Sequence, residues 1–266
     1  MKRFLLFGVL CLVQMLTSFS HANSGRIYTS NDMSSSLIRC IIQDKYGFIW
    51  VGTNYGLNRF DGYNFSTYLC NPADTTTIQD NDIVKLYPYS KEFLFVATNR
   101  GLYKYSYLTN SFQHIVLEKK DEKIRVSSLI EDGKHNLLIG TSGYGAYRLD
   151  MTTGKVTRLS RKSANSVDNF FAILFFDAEG YLWQANHTKV LRKYKYDGKS
   201  IKLVSVYEPK DLFGIRKLYA TDKKGFFVAH TGGIMRYDYA SHSFSRYDFD
   251  FSAHQGGRIY QRCYLG

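Results

Sequence analysis

Groups that could hold a ligand stand at a set of turns spaced along this sequence: Asn54 and Tyr55, Asn99 and Arg100, Tyr144, His187 and His230. Aromatic rings offer an apolar face with a polar tip, and Arg and Asn supply hydrogen bonds. Together they would suit the binding of a sugar. Each is also an ordinary turn residue, Asn in particular because it tolerates left-handed backbone. Bond-breaking chemistry is harder to find. His114, His135, His187, His230, His242 and His254 show no HxH or HExxH spacing, so neither a metal site nor a cofactor is expected. There is no nucleophile elbow, phosphate loop or dinucleotide fingerprint, and no residue is assigned a catalytic role.

The elements that must carry these turns follow from self-similarity. One pattern occurs five times. With Trp50 as anchor, the equivalent residues are Phe95, Leu138, Trp183 and Phe227, at intervals of 45, 43, 45 and 44 residues. Twelve residues before each anchor stands Ile38, Ile83, Val126, Phe171 or Ile215, and nine before it Ile41, Leu86, Leu129, Leu174 or Leu218. About nine after it comes a cation: Arg59, Lys104, Arg148, Arg192 or Arg236.

Each unit reads as four short strands. The first carries the apolar pair, as in Ile38 to Ile42, and a turn with Asp44 and Gly47 leads to the second, Phe48 to Thr53. A second turn, with Gly56, Gly101, Gly145 or Gly233, opens the third strand, and the fourth is short and aromatic. Alternating apolar and polar residues with Gly, Asp and Asn at the breaks are hairpin signals. A four-stranded sheet at this period predicts an all-β fold, a β-propeller whose blades pack face to face around an axis. Residues 34–80, 81–123, 124–168, 169–211 and 212–257 would be five full blades, and 258–266 the start of a sixth.

Lys2 and Arg3, the apolar run Phe4 to Leu16 and Ser20-His21-Ala22 have the three-part layout of a signal peptide over residues 1–22. Export to the periplasm is expected, with the mature propeller over 23–266. The 35 Lys and Arg against 23 Asp and Glu give a net charge of +12. Export and the lack of any Lys/Arg block longer than two residues argue against nucleic acid; attraction of an acidic glycan is the sharper reading of that charge. Cys40, Cys70 and Cys263 remain after the signal. They form no disulfide framework, and a Cys40–Cys70 bridge is open. Because a ring of blades closes on itself, a chain stopping inside a sixth blade predicts an N-terminal fragment of a longer protein or a truncated product without function. In the intact ring, Ile27 to Ser30 would supply the outer strand of the last blade.

The run Asp44-x-x-Gly47-Phe48-Ile49-Trp50-Val51-Gly52-Thr53-x-x-Gly56-Leu57-Asn58-Arg59-Phe60-Asp61-Gly62 resembles the two-component-regulator propeller repeat. Weaker forms follow at Gly101–Tyr105 and Gly233–Tyr237, and the fourth unit departs with Lys189 at the turn glycine. The resemblance implies the periplasmic sensor region of a hybrid two-component histidine kinase that detects glycans. An oligosaccharide would be its ligand, an acidic one on the sharper reading of the charge. Homodimerisation would run through the parent receptor, whose missing C-terminal parts would hold the membrane helix and the kinase, so this chain itself is not expected to be an enzyme. Asp44-x-x-Gly47-x-x-Trp50 and Asp177-x-x-Gly180-x-x-Trp183 are also similar to the Asp-box of sialidase propellers, a structural turn. The alternative is therefore a propeller hydrolase or lyase acting on polysaccharide, although no arginine cluster with a Tyr/Glu pair is assembled here.

Overall fold

The computed structural model describes residues 27–29, 32–118, 123–160 and 169–247. The signal peptide expected at 1–22, the incomplete repeat expected at 258–266, Cys263 and His254 lie outside the described residues. Among those described, twenty strands form five four-stranded antiparallel sheets. The first holds β1 (Ile38–Gln43), β2 (Ile49–Thr53), β3 (Gly56–Phe60) and β4 (Phe65–Tyr68); the second β5 (Ile83–Pro88), β6 (Phe93–Thr98), β7 (Leu102–Ser106) and β8 (Ser111–Ile115). The third holds β9 (Val126–Glu131), β10 (Asn136–Thr141), β11 (Ala146–Asp150) and β12 (Val156–Arg158). The fourth has β13 (Ile173–Phe176), β14 (Leu182–Ala185), β15 (Leu191–Tyr196) and β16 (Ile201–Tyr207), and the fifth β17 (Lys217–Asp222), β18 (Gly225–His230), β19 (Gly233–Asp238) and β20 (Ser243–Arg246).

Strands follow chain order within every sheet, so each blade is a meander of local hairpins, as the repeat predicts. Aspartates fix two of its turns. At the first, Asp44 Oδ1 accepts from the backbone N–H of Tyr46 and Phe48, and its Oδ2 from Trp50 Nε1 at 2.6 Å. Asp177 does the same for Glu179, Tyr181 and Trp183. Asp132 has no tryptophan to hold and accepts instead from the Asn136 amide and the Tyr196 hydroxyl. At the turn into the fourth strand, Asp61, Asp150, Asp197 and Asp238 each accept from the backbone two and three residues on. Gly56 has a φ of +133° and donates its N–H to Asn81 O, tying the top of the first blade to the approach to the second.

The core lies between blades. Each of the first four anchors faces the following blade: Trp50 packs with Tyr105 and Phe112, Phe95 with Leu129 and Tyr147, Leu138 with Leu174 and Leu182, and Trp183 with Phe226 and Tyr237. The apolar pair of each inner strand faces the preceding blade. Ile83, Leu86, Val126, Leu129, Phe171, Leu174, Ile215 and Leu218 are all buried. In the first blade the same columns are open, with Ile38 42% and Ile41 39% exposed. At the other end Phe227 is half-buried and its ring meets that of Tyr247 at a tilt, 4.7 Å between centroids. Ile27–Thr29 are not a strand here; the Tyr28 ring sits edge-on against Phe60 and Phe65. Cys40 and Cys70 are both free thiols.

Candidate functional site

The inner strands β5, β9, β13 and β17 converge on one axis, and a cavity of about 330 Å³ opens there. Four cations reach it from three of the blades. Lys85 is on β5, Arg125 immediately precedes β9, and Arg216 and Lys217 stand at the head of β17. His187, in the turn between β14 and β15, completes the polar rim, and among the described residues no Asp or Glu lines the cavity. Val84, Leu129, Ile173 and Leu218 form aliphatic wall. Burial, with the positive charge of Lys217 added, pushes the Lys85 ammonium below the usual lysine range. The serines of the wall are already engaged. Ser127 Oγ donates to Gly140 O and Phe171 O, and Ser128 Oγ accepts from Leu174 N at 3.0 Å.

Arg125 is held from behind. Its guanidinium donates to Asn99 Oδ1, the Asn99 amide donates to Asp82, and Arg39 pairs with Asp82 at 2.8 Å. Asn99, expected from its turn to meet a ligand, therefore uses both ends of its amide as a relay. Of the other sequence candidates only His187 lines the cavity, with Nδ1 3.3 Å from Ile215 O. Tyr55 and Arg100 are exposed at the tips of their turns. Asn54 Oδ1 accepts from Ser35 Oγ at 2.7 Å, and Tyr144 is half-buried with its carbonyl accepting from Arg158 at 2.7 Å. His230 Nδ1 accepts from Gly232 N, and its ring lies edge-on to Phe213. The structure thus spreads the seven along one rim and gathers only His187, and Asn99 through Arg125, at the axis. Lys85, Arg125, Arg216 and Lys217 escaped sequence reasoning. The usable signal was a cation beside the inner-strand apolar columns, at Lys85, Arg125, Arg216 and Lys217.

The repeated cation of the blades is structural. Arg59 stands opposite Trp50, Lys104 opposite Phe95 and Arg148 opposite Leu138. In the fourth blade the residue opposite Trp183 is Lys193, and Arg192 faces Gln184, because the β14–β15 turn is longer than its counterpart in the first blade. Each of three cations covers the ring two residues before its anchor: Arg59 over Phe48 at 4.8 Å, Lys104 over Phe93 at 4.6 Å, Lys193 over Tyr181 at 3.9 Å. A larger hollow of about 780 Å³ between the first two blades is lined by Tyr46, Phe48, Arg59, Phe93 and Tyr107 among others. Its guanidinium is already spent on ring faces, which leaves the axial cavity as the better-defined candidate.

Residues 32–55 match the family described as two component regulator propeller. The first blade carries that repeat, as its sequence pattern implied. An 82-residue stretch is 38% identical to histidine kinase P4 of Formosa agariphila, over 29% of this chain and 6% of that protein. Among solved structures, the chain is similar to the extracellular domain assigned to a hybrid two component system of B. thetaiotaomicron. That likeness has a TM-score of 0.71 at 23% identity, covering 83% of this chain and 31% of the other. The WD40 domain of Neurospora crassa Pan2 matches with a TM-score of 0.56 at 14% identity, over 79% of this chain and 65% of that one. The structural matches establish the propeller fold. The chain spans a small part of the kinase and under a third of the first structural relative.

Proposed function

We propose that this chain is the ligand-recognition segment of a hybrid two-component histidine kinase receptor, lying in the periplasm and responding to glycans. The observation that carries this reading is the two-component-regulator repeat set in a propeller with an axial cavity open to a ligand. Identity to a histidine kinase over 82 residues supports it, and so does the likeness to an extracellular domain of a hybrid system. In this reading the chain recognises and does not catalyse. A glycoside hydrolase of the usual kind would need a pair of carboxyl groups beside the bound sugar, and among the described residues the cavity lining has none. Kinase activity, membrane attachment and dimerisation belong to the rest of the receptor. Calorimetry on this chain with a panel of neutral and acidic oligosaccharides tests the proposal. Binding heat with at least one is the expected result, and silence across the whole panel removes the glycan reading.

A further inference from the structure

The cations of the axial cavity differ from the paired cations elsewhere in the chain. Arg39 has Asp82, Arg158 has Glu118, Lys189 has Glu208 and Lys193 has Glu179. Among the described residues, Lys85, Arg125, Arg216 and Lys217 have no carboxylate partner. Lys85 is half-buried, and Lys217, on the same cavity wall, is near enough to act on it electrostatically. Bringing like charges together at a partly enclosed site works against folding unless an anion offsets them. The arrangement is also built. Arg125 is oriented by the Asn99–Asp82–Arg39 relay, and the wall serines are tied to backbone groups, so the donors left for a ligand are the cations, with Lys217 Nζ also lying 4.7 Å from the Tyr219 ring centroid.

We infer that the axial cavity binds the charged group of an acidic saccharide, a sugar carboxylate or sulfate ester held between Lys85, Arg125, Arg216 and Lys217. The inference rests on the glycan-recognition reading and names the class of ligand. At about 330 Å³ the cavity lies at the small end of ligand sites, which suits one charged sugar unit with the remaining units leaving past His187. Aliphatic Val84, Leu129, Ile173 and Leu218 offer contact to the C–H face of a sugar ring. Among the described residues no Phe, Tyr or Trp lines the cavity, so a nucleobase would lack there the stacking partner on which single-stranded nucleic acid binding depends.

The test is calorimetry on the full chain with four probes: a short oligogalacturonate, its methyl ester, a sulfated oligosaccharide and a neutral oligosaccharide of equal length. The acid, the sulfate or both should bind, and esterification should weaken the acid at least about tenfold, since a charge-assisted contact is lost. The acid and sulfate arms tell which anion the cavity prefers. Lys217→Gln and Arg216→Gln should each weaken binding about tenfold. Arg216 is exposed, so its variant keeps the fold even where a substitution at Lys85 does not. Lys202→Gln, on the outer strand β16, is the control and should bind as before. If the neutral sugar binds as tightly as the acid, or if both axial variants bind unchanged, the anion site is wrong while glycan recognition stands. If no saccharide binds, both fall.

Discussion

The indole Nε1 of Trp183 donates to Asp177 Oδ2 at 2.7 Å, inside the fourth blade, while the ring itself packs edge-on against Phe226 and Tyr237 of the fifth. One carboxylate therefore closes a hairpin turn and fixes the residue that glues two blades together. Asp177→Ala strips the partner from a buried indole and from two backbone N–H groups. The expected cost is about 2–4 kcal/mol, from unmade buried hydrogen bonds. Urea unfolding followed by tryptophan fluorescence measures it. A loss below about 0.5 kcal/mol, the range of an ordinary surface substitution, would show that the turn is held by other means.

The turns into the fourth strands give a second, pH-dependent prediction. Backbone N–H groups of Lys199 and Ser200 hold the Asp197 carboxyl down to about 2, from an ordinary value near 3.8. Asp61, Asp150 and Asp238 are lowered for the same kind of reason. A carboxylate with a depressed folded-state pKa adds stability that is fully present above its unfolded value and lost as pH falls through the folded one. Stability should therefore drop between about pH 4 and pH 2. Asp197→Asn should make that slope shallower by lowering stability at pH 7, where the carboxylate contributes, while the two proteins converge towards pH 2. Identical pH profiles for the two proteins would refute the linkage.

How much of this was legible in the sequence depends on whether a feature repeats. Trp50, Phe95, Leu138 and Trp183 declared the blades because a buried inter-blade contact needs a large residue at the same place in every copy. Asp44 and Asp177 were visible as turn residues, but their grip on the indoles was not, since it depends on side-chain direction across six residues. The site was legible only at its edge. Turn tips such as Tyr55 and Arg100 look like ligand groups because they are polar and exposed. Lys85, Arg125, Arg216 and Lys217 come together only when three blades close on an axis; Lys85 and Lys217 share a column ten residues before their anchors, but Cys40, Ser128 and Ile173 fill it in the other repeats, so it does not read as a cation column. Lys193 shows the same limit: a longer turn shifted the cation by one residue, and spacing alone pointed to Arg192.

The cation over each blade's aromatic ring predicts an asymmetric pair of variants. The Lys193 side chain is only 5% exposed, its Nζ 3.9 Å from the Tyr181 ring centroid and 3.2 Å from Glu179. Lys193→Met keeps the buried stem and removes the charge, which should cost about 1–2 kcal/mol. Lys193→Ala also leaves a void and should cost about 2–4 kcal/mol. Thermal unfolding of the two beside the unaltered protein gives the order. If methionine is as costly as alanine, the ion pair with Glu179 outweighs the packing.

Burial of the anchor column sets the last expectation. Trp50 is fully buried between the first and second blades, stacking on Tyr68 at 5.6 Å and meeting Tyr105 edge-on at 5.1 Å. Phe227 occupies the same column in the fifth blade, yet it is only half-buried and its close aromatic neighbour is Tyr247 of its own blade. The column is one sequence feature, but its energetic weight comes from the blade that covers it. Trp50→Ala should cost about 3–5 kcal/mol, the usual range for truncating a buried aromatic. Phe227→Ala should cost less than half as much in this chain. Denaturant titration of both variants separates the cases, and equal losses would mean that Phe227 is covered in solution by a surface equivalent to the second blade.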